Sequence, residues 1–327
     1  LTATGSGAEL RLDGVLQPMT ATAGPKLALN LSGKRFSELS QWTGIGARAK
    51  LPYALSGNLQ LTRDGWQIDP VSARLGRSRV EGSLAAITSG TENLYQIKLR
   101  FPLLDLKELD RNRADTEKQQ DRETDGLTID LPILAQDIVI ADADLALSID
   151  RLLLPHNEIE DIGLNAHIRD GHVKRAPFRA TLGANQFTGN AKLDLRGATL
   201  GADLSLSARD VDMGDILRRL RLVEDLPMST RSLSTRVRLR GGSLDELVRK
   251  SELRLRMKDG RWSLYDTNLQ AEAVIHVVAG ELDAQPGQPI AGQATGTLDG
   301  VPVDIAWETA DLHTLYSSQR RLPLRLQ

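Results

Sequence analysis

At 327 residues the chain carries 41 basic and 43 acidic side chains, a formal net charge of −2. It therefore lacks the basic surplus of a dedicated nucleic-acid surface, and nucleic acid is excluded as a partner. It has no cysteine, which removes disulfides and thiolate metal sites from consideration while leaving the compartment open. Apolar residues make up 40% and aromatics only 4%, so the apolar surface is mostly aliphatic. That suits a repetitive sheet better than a compact core built on large rings.

In chain order, alternation comes first. Leu10 and Leu12, then Leu27, Leu29 and Leu31, predict strands, with residues 4–14 reading as the degenerate tail of a repeat. Residues 35–42 predict a short helix with Phe36 and Leu39 on one side. Leu51-Pro52 opens a strand through Leu55, Leu59 and Leu61, proline fitting a first strand position.

Residues 64–84 are then written a second time at 170–189. Each copy has Asp-Gly, then proline and a large apolar residue, then Ala-x-Leu-Gly (Leu75-Gly76, Leu182-Gly183). Ser78 or Asn185 follows, then a large apolar residue (Val80, Phe187) and glycine (Gly82, Gly189). The pattern predicts two hairpins. Asp64-Gly65 and Asp170-Gly171 supply positive φ at one turn, and Gly76 and Gly183 the first central position of a type II′ turn. Repetition on this scale predicts supersecondary units that bury surface against their neighbours.

Tyr95, Ile97, Leu99 and Phe101 continue the alternation. Residues 107–126 are almost all polar or charged and predict a disordered or looping insertion. Alternation resumes at Leu127, Ile129 and Leu131, and recurs at Leu145–Ile149, Leu164–Ile168, Ala191–Leu195 and Leu204–Leu206. Residues 212–226 predict a helix with Met213, Ile216, Leu217, Leu220 and Val223 on one stripe, capped by Asp212 or Asp210. Ser243-x-x-Glu246 predicts a capping box for another short helix. Strand patterns then run through Val237 and Leu239, Leu253 to Met257, residues 271–278 and 301–307, with a last alternation at Leu322, Leu324 and Leu326.

The residues that suggest chemistry each have a plainer reading. His167, Asp170 and His172 fall around one turn, but a catalytic zinc wants three protein ligands, so they predict a polar hairpin tip. Asp142 and Asp144 are spaced like paired carboxylates, yet the parity of the alternation changes there, which predicts turn aspartates. Gly241-Gly242-Ser243 lacks a lysine at P-loop spacing and predicts a helix N-cap. Arg236, Arg238 and Arg240, and Arg254, Arg256 and Lys258, line strand faces and predict a solvated outer face; the functional alternative is contact with an anionic or lipopolysaccharide headgroup. No metal, cofactor or catalytic residue is predicted.

The repeated passage, together with residues 29–85 and 131–264 around it, resembles the AsmA-like family of bacterial envelope proteins. The resemblance rests on alternation and glycine placement rather than on polar residues. It implies a repeating β-groove akin to bridge-like lipid-transfer proteins, facing the periplasm, with the inner-membrane anchor and further strands lying in a longer parent chain. Raw edges at both ends of the fragment then predict end-to-end self-association.

The expected fold is mainly β: an elongated, mostly antiparallel sheet curled into a groove, with a few short helices. Residues 1–106 and 127–327 form two β blocks around the insertion at 107–126. Residues alone favour ordinary packing of the apolar face; the resemblance favours a groove. Its expected wall includes Val71, Leu75, Val80, Leu84, Leu147, Ile149, Phe187, Leu193, Leu195, Leu204, Leu206, Val237, Leu239, Leu253 and Leu255. The expected function is non-enzymatic binding and transfer of phospholipid or lipopolysaccharide-related lipid across the Gram-negative periplasm, in the service of outer-membrane biogenesis. Its partners are lipid acyl chains, the two membranes through other parts of the parent chain, and other envelope proteins. The alternative is an assembly factor that binds outer-membrane proteins along exposed β edges. A carbohydrate-active β-solenoid enzyme is a weaker rival, because no cleft of carboxylates is visible.

Overall fold

The computed structural model describes residues 2–5, 7–20, 24–36, 51–89, 92–108, 142–154, 157–196, 199–219, 226–242, 244–266, 271–312, 314 and 325–326. The protein is mainly β, as the alternation predicts, with short helices. Its strands are β1 Thr2–Gly5, β2 Ala8–Val15, β3 Lys26–Gly33, β4 Tyr53–Thr62, β5 Gly65–Leu75, β6 Ser78–Ser89, β7 Glu92–Asp105, β8 Asp142–Leu153, β9 Glu158–Arg169 and β10 His172–Leu182. They continue with β11 Asn185–Asp194, β12 Leu200–Asp212, β13 Met228–Gly241, β14 Glu252–Asp266, β15 Ala271–Ala284, β16 Ile290–Leu298, β17 Val301–Thr309 and β18 Arg325–Leu326. Helix α1, Met213–Arg219, follows β12, and helix α2, Leu244–Arg249, follows β13. Among the described residues no helix is long and apolar enough to cross a membrane.

Contacts divide the chain into two compact units at Ala176/Pro177, within β10. In the first, β1 to β7 pair antiparallel in sequence order. β8 then joins β7 in parallel, Leu99 opposite Leu147, before β9 returns antiparallel. The parallel junction was not legible in the alternation, which is identical for either direction. On its polar face Arg100 and Asp150 make an ion pair at 2.6 Å. In the second unit β11 to β18 form an uninterrupted antiparallel meander.

The hairpin turns follow their glycines only in part. Asp170 and Gly171 both have positive φ (50° and 70°), as the two central residues of a type I′ turn require. Asp64-Gly65 does not do this: the loop is Arg63-Asp64, and Gly65 is the first residue of β5. Its φ of 150° and the Ala86 carbonyl, which a Cβ would strike, explain the glycine. Gly76 and Gly183 take φ of 57° and 59° at the first loop position.

A second departure is a fold line across the strands. On β12 the inward apolar positions run Ala202, Leu204, Leu206, Ala208 and then step by three to Val211. The same step occurs on β13 (Thr230 to Leu233), β14 (Met257 to Gly260) and β15 (Val277 to Gly280). The ladder skips Asp210, Arg231, Asp259 and Val278 in line, and Asp210 and Asp259 sit at φ 49° and 54°. Aspartate tolerates this left-handed conformation better than most side chains. Two consecutive residues on each strand therefore face outward, which is why Val278 is 64% exposed. Asp161 (φ 50°) marks a similar step on β9, opposite a gap between Ile149 and Arg151 on β8.

Asp142 and Asp144 belong to strand β8 and not to a turn. The predicted helix at 212–226 is described as α1 over Met213–Arg219, capped by Asp212, whose Oδ1 accepts the Asp215 N–H at 2.8 Å. Most of the helix predicted at 35–42, residues 109–126 of the insertion, the alternation at Leu127–Leu131, Leu220 and Val223, and Ser243 of the capping box lie outside the described residues.

Candidate functional site

Register assembles the apolar positions into rows that cross the strands, because directly opposed residues share a face. In the first unit one row runs Leu12, Leu29, Gly57, Val71, Gly82, Leu99, Leu147, Leu164. Beside it runs Leu27, Leu59, Ile68, Leu84, Ile97, Leu145, Ala166. A step in β5 between Ile68 and Val71 keeps both rows on one face.

In the second unit the rows are Ala191, Leu204, Val237, Leu253, Ala284 and Gly189, Leu206, Thr235, Leu255, Leu282, Gly292, Trp307. Leu193, Ala202 and Leu239 make a third. No charged residue enters any of them. Several row glycines lie beneath a large neighbour: a Cβ on Gly292 would enter the Trp307 ring, and one on Gly189 would meet Phe178.

The predicted groove residues that belong to strands, all but Leu195, thus fall on one face within each unit, but with unequal exposure. Val71 and Ile149 are buried by their neighbours, at 4% and 8% exposure. Leu75 packs beside Phe36 and Leu31 on a small cluster of Ala8 and Tyr53. Val80, Leu84, Leu147, Leu193, Leu204, Leu206, Val237, Leu239 and Leu253 are partly exposed along their rows. Leu195 lies just beyond β11. Phe187 and Leu255 also touch the main core of the second unit, which gathers Val211, Met213, Leu233, Met257, Trp262, Ile275 and Val277 beyond or beside the fold line. There Trp262 and Trp307 meet edge to face at 6.0 Å. Ile68, Ile97, Leu99, Leu145, Leu164 and Leu282 complete the rows; the alternation carried them, but register alone places them beside the others.

The opposite face is polar. Arg238 pairs with Glu252 at 3.1 Å, Arg254 with Asp283 at 2.9 Å and Arg256 with Glu281 at 2.5 Å; Arg236 and Arg238 each reach Asp203 at 4.0 Å. These arginines form cross-strand ion pairs on an exposed face. A hydrogen bond from Gln285 and the Arg254 guanidinium hold the Asp283 carboxyl below its ordinary range. Three open concavities, of about 320, 410 and 340 Å³, are lined by polar side chains together with Leu206 and Leu253, with Leu27 and Leu59, and with Leu31 and Leu55 respectively. Each is an open depression, and leucines of the apolar rows contribute to the lining of the first two.

The cluster at the start of β8 is also electrostatic. Asp144 lies 2.7 Å from His167 Nδ1 and accepts from Arg169 at 2.7 Å; its hydrogen bond with His167, then that from Arg169, lowers its pKa below the ordinary aspartate value. Asp142 accepts the Asp170 N–H at 2.9 Å. Among the described residues no three His, Asp or Glu side chains come together as a metal site.

A model of the AsmA family matches residues 54–297. No curated protein and no solved structure matches the chain.

Proposed function

The chain belongs to the AsmA family, and from that premise we propose that it binds and transfers lipid without catalysing a reaction. Family membership points to a role in the bacterial envelope. In this reading the partly exposed rows hold the acyl chains of phospholipid or lipopolysaccharide-related lipid in the periplasm of a Gram-negative cell, in a parent chain anchored to the inner membrane.

The observation that supports it is the continuity of the rows. Leucine and isoleucine, partly exposed, follow one another across strands in rows without a charge. A methylene left in water costs about 0.8 kcal/mol, so an acyl chain gains from each carbon laid on such a surface. An open row offers this without a deep pocket, which suits passage better than tight retention.

The test is native mass spectrometry of the protein purified from a Gram-negative periplasm. Bound phospholipid masses are expected. They should fall in a Leu206→Asp, Leu255→Asp variant that retains the wild-type circular dichroism. Wild-type protein without lipid would overturn the reading, and a bound peptide strand would favour an assembly factor acting through β edges.

A further inference from the structure

The repeated passage does more than form two hairpins. Among the described residues six polar or charged side chains are buried, and four of them are Ser78, Asp105, Asn185 and Asp215. These four belong to two small hydrogen-bonded assemblies, one in each unit, whose members stand at a constant spacing of 107 residues: 76 and 183, 78 and 185, 105 and 212, 108 and 215.

In the first unit the Asp105 N–H donates to Ser78 Oγ at 2.9 Å, and the Glu108 N–H donates to Asp105 Oδ1 at 3.1 Å. In the second the Asp212 N–H donates to Asn185 Oδ1 at 2.8 Å, and the Asp215 N–H to Asp212 Oδ1 at 2.8 Å. Gly76 and Gly183 lie under the carboxylates of Glu108 and Asp215, with no room for a Cβ. Arginine closes each assembly. Arg77 donates its N–H to Glu108 at 2.6 Å and its side chain reaches Asp105 at 3.1 Å. Arg219 and Arg218 donate to Asp215 at 2.7 and 2.6 Å.

We infer that these are two copies of one latch, which fastens the tip of a hairpin to the end of the strand after it and fixes where the chain leaves the sheet, into the helical residues 106–108 in the first unit and into α1 in the second. Ser78 and Asn185 are positioning residues: each supplies one buried acceptor to the last backbone N–H of a strand. The aspartate that ends the strand then caps the first helical turn. In the second unit this sets α1 so that Met213 and Ile216 rest on the core beside Phe187, closing that margin of the apolar face.

Hydrogen exchange of the full chain tests it. Asn185→Ala leaves the Asp212 N–H without its buried acceptor, and the α1 amides should exchange about tenfold faster, the effect of one such bond. Asn185→Ser places the first unit's own acceptor in the second and should restore most of the protection. Ser78→Ala should do to the Glu108 amide what Asn185→Ala does to α1, and it keeps the test alive if the latter variant fails to fold. Unchanged exchange in Asn185→Ala, or Asn185→Ser behaving like Asn185→Ala, would overturn the equivalence.

Discussion

The two sides of the fold line in the second unit are built from the same kind of strand and end in different states. On one side Leu204, Leu206, Val237 and Leu253 stand partly exposed; on the other Val211, Trp262, Ile275 and Val277 are buried. Neither apolar content nor alternation separates them. The difference is supplied by what arrives from elsewhere: α1 with Met213 and Ile216, and Trp307, three strands beyond Trp262 in sheet order, leaning edge to face on its ring. A sheet face becomes core only where another element covers it. Where none does, it remains a surface able to take an apolar ligand.

The contrast can be broken most severely at its packed side. Trp262→Ala removes the largest side chain of that core and should cost about 3–5 kcal/mol, as large-to-small changes at buried aromatics do. Denaturant unfolding followed through the second unit would measure it, and a loss as small as that of an exposed residue would mean the panel is not a core. Leu206→Ala on the open side should cost less, about 1–2 kcal/mol, because part of its surface is already in water. It should lower bound lipid more than Trp262→Ala does in molecules that remain folded, a reversal of order that native mass spectrometry can read. The smallest effect belongs to the polar face. Arg254→Ala should leave stability almost unchanged in the same denaturant measurement, since exposed ion pairs contribute little. It should leave lipid content unchanged, and a clear loss of lipid would instead point to headgroup contact at these arginines.

Much of the fold was legible because a strand declares its two faces in its own sequence. The alternation at Leu204-x-Leu206, Leu253-x-Leu255 and Val80-x-Gly82-x-Leu84 identified strands and the side each would present, and Leu-Gly at 75–76 and 182–183 marked two hairpin tips. Even the latch had a visible trace, since Ser78 and Asn185 occupy one aligned position and Asp212 was legible as a cap. Its partner Asp105, a strand and more away in sequence, was not. The Asp64-Gly65 turn failed because the dipeptide fits a turn or a close backbone approach equally well, and contact with Ala86 selects the second.

Three things were decided only in three dimensions. The direction of β8 depends on where the chain returns after residue 108, and alternation is blind to it. The fold line depends on neighbouring strands stepping together at Asp210, Arg231, Asp259 and Val278; in any one strand the three-residue step reads as an isolated irregularity. Exposure is settled last. Val71 and Leu84 are equally apolar and share a face, but the first is buried and the second partly open. A residue's own chemistry sets which side of the sheet it takes, while the neighbours brought by register and by distant segments set whether water reaches it.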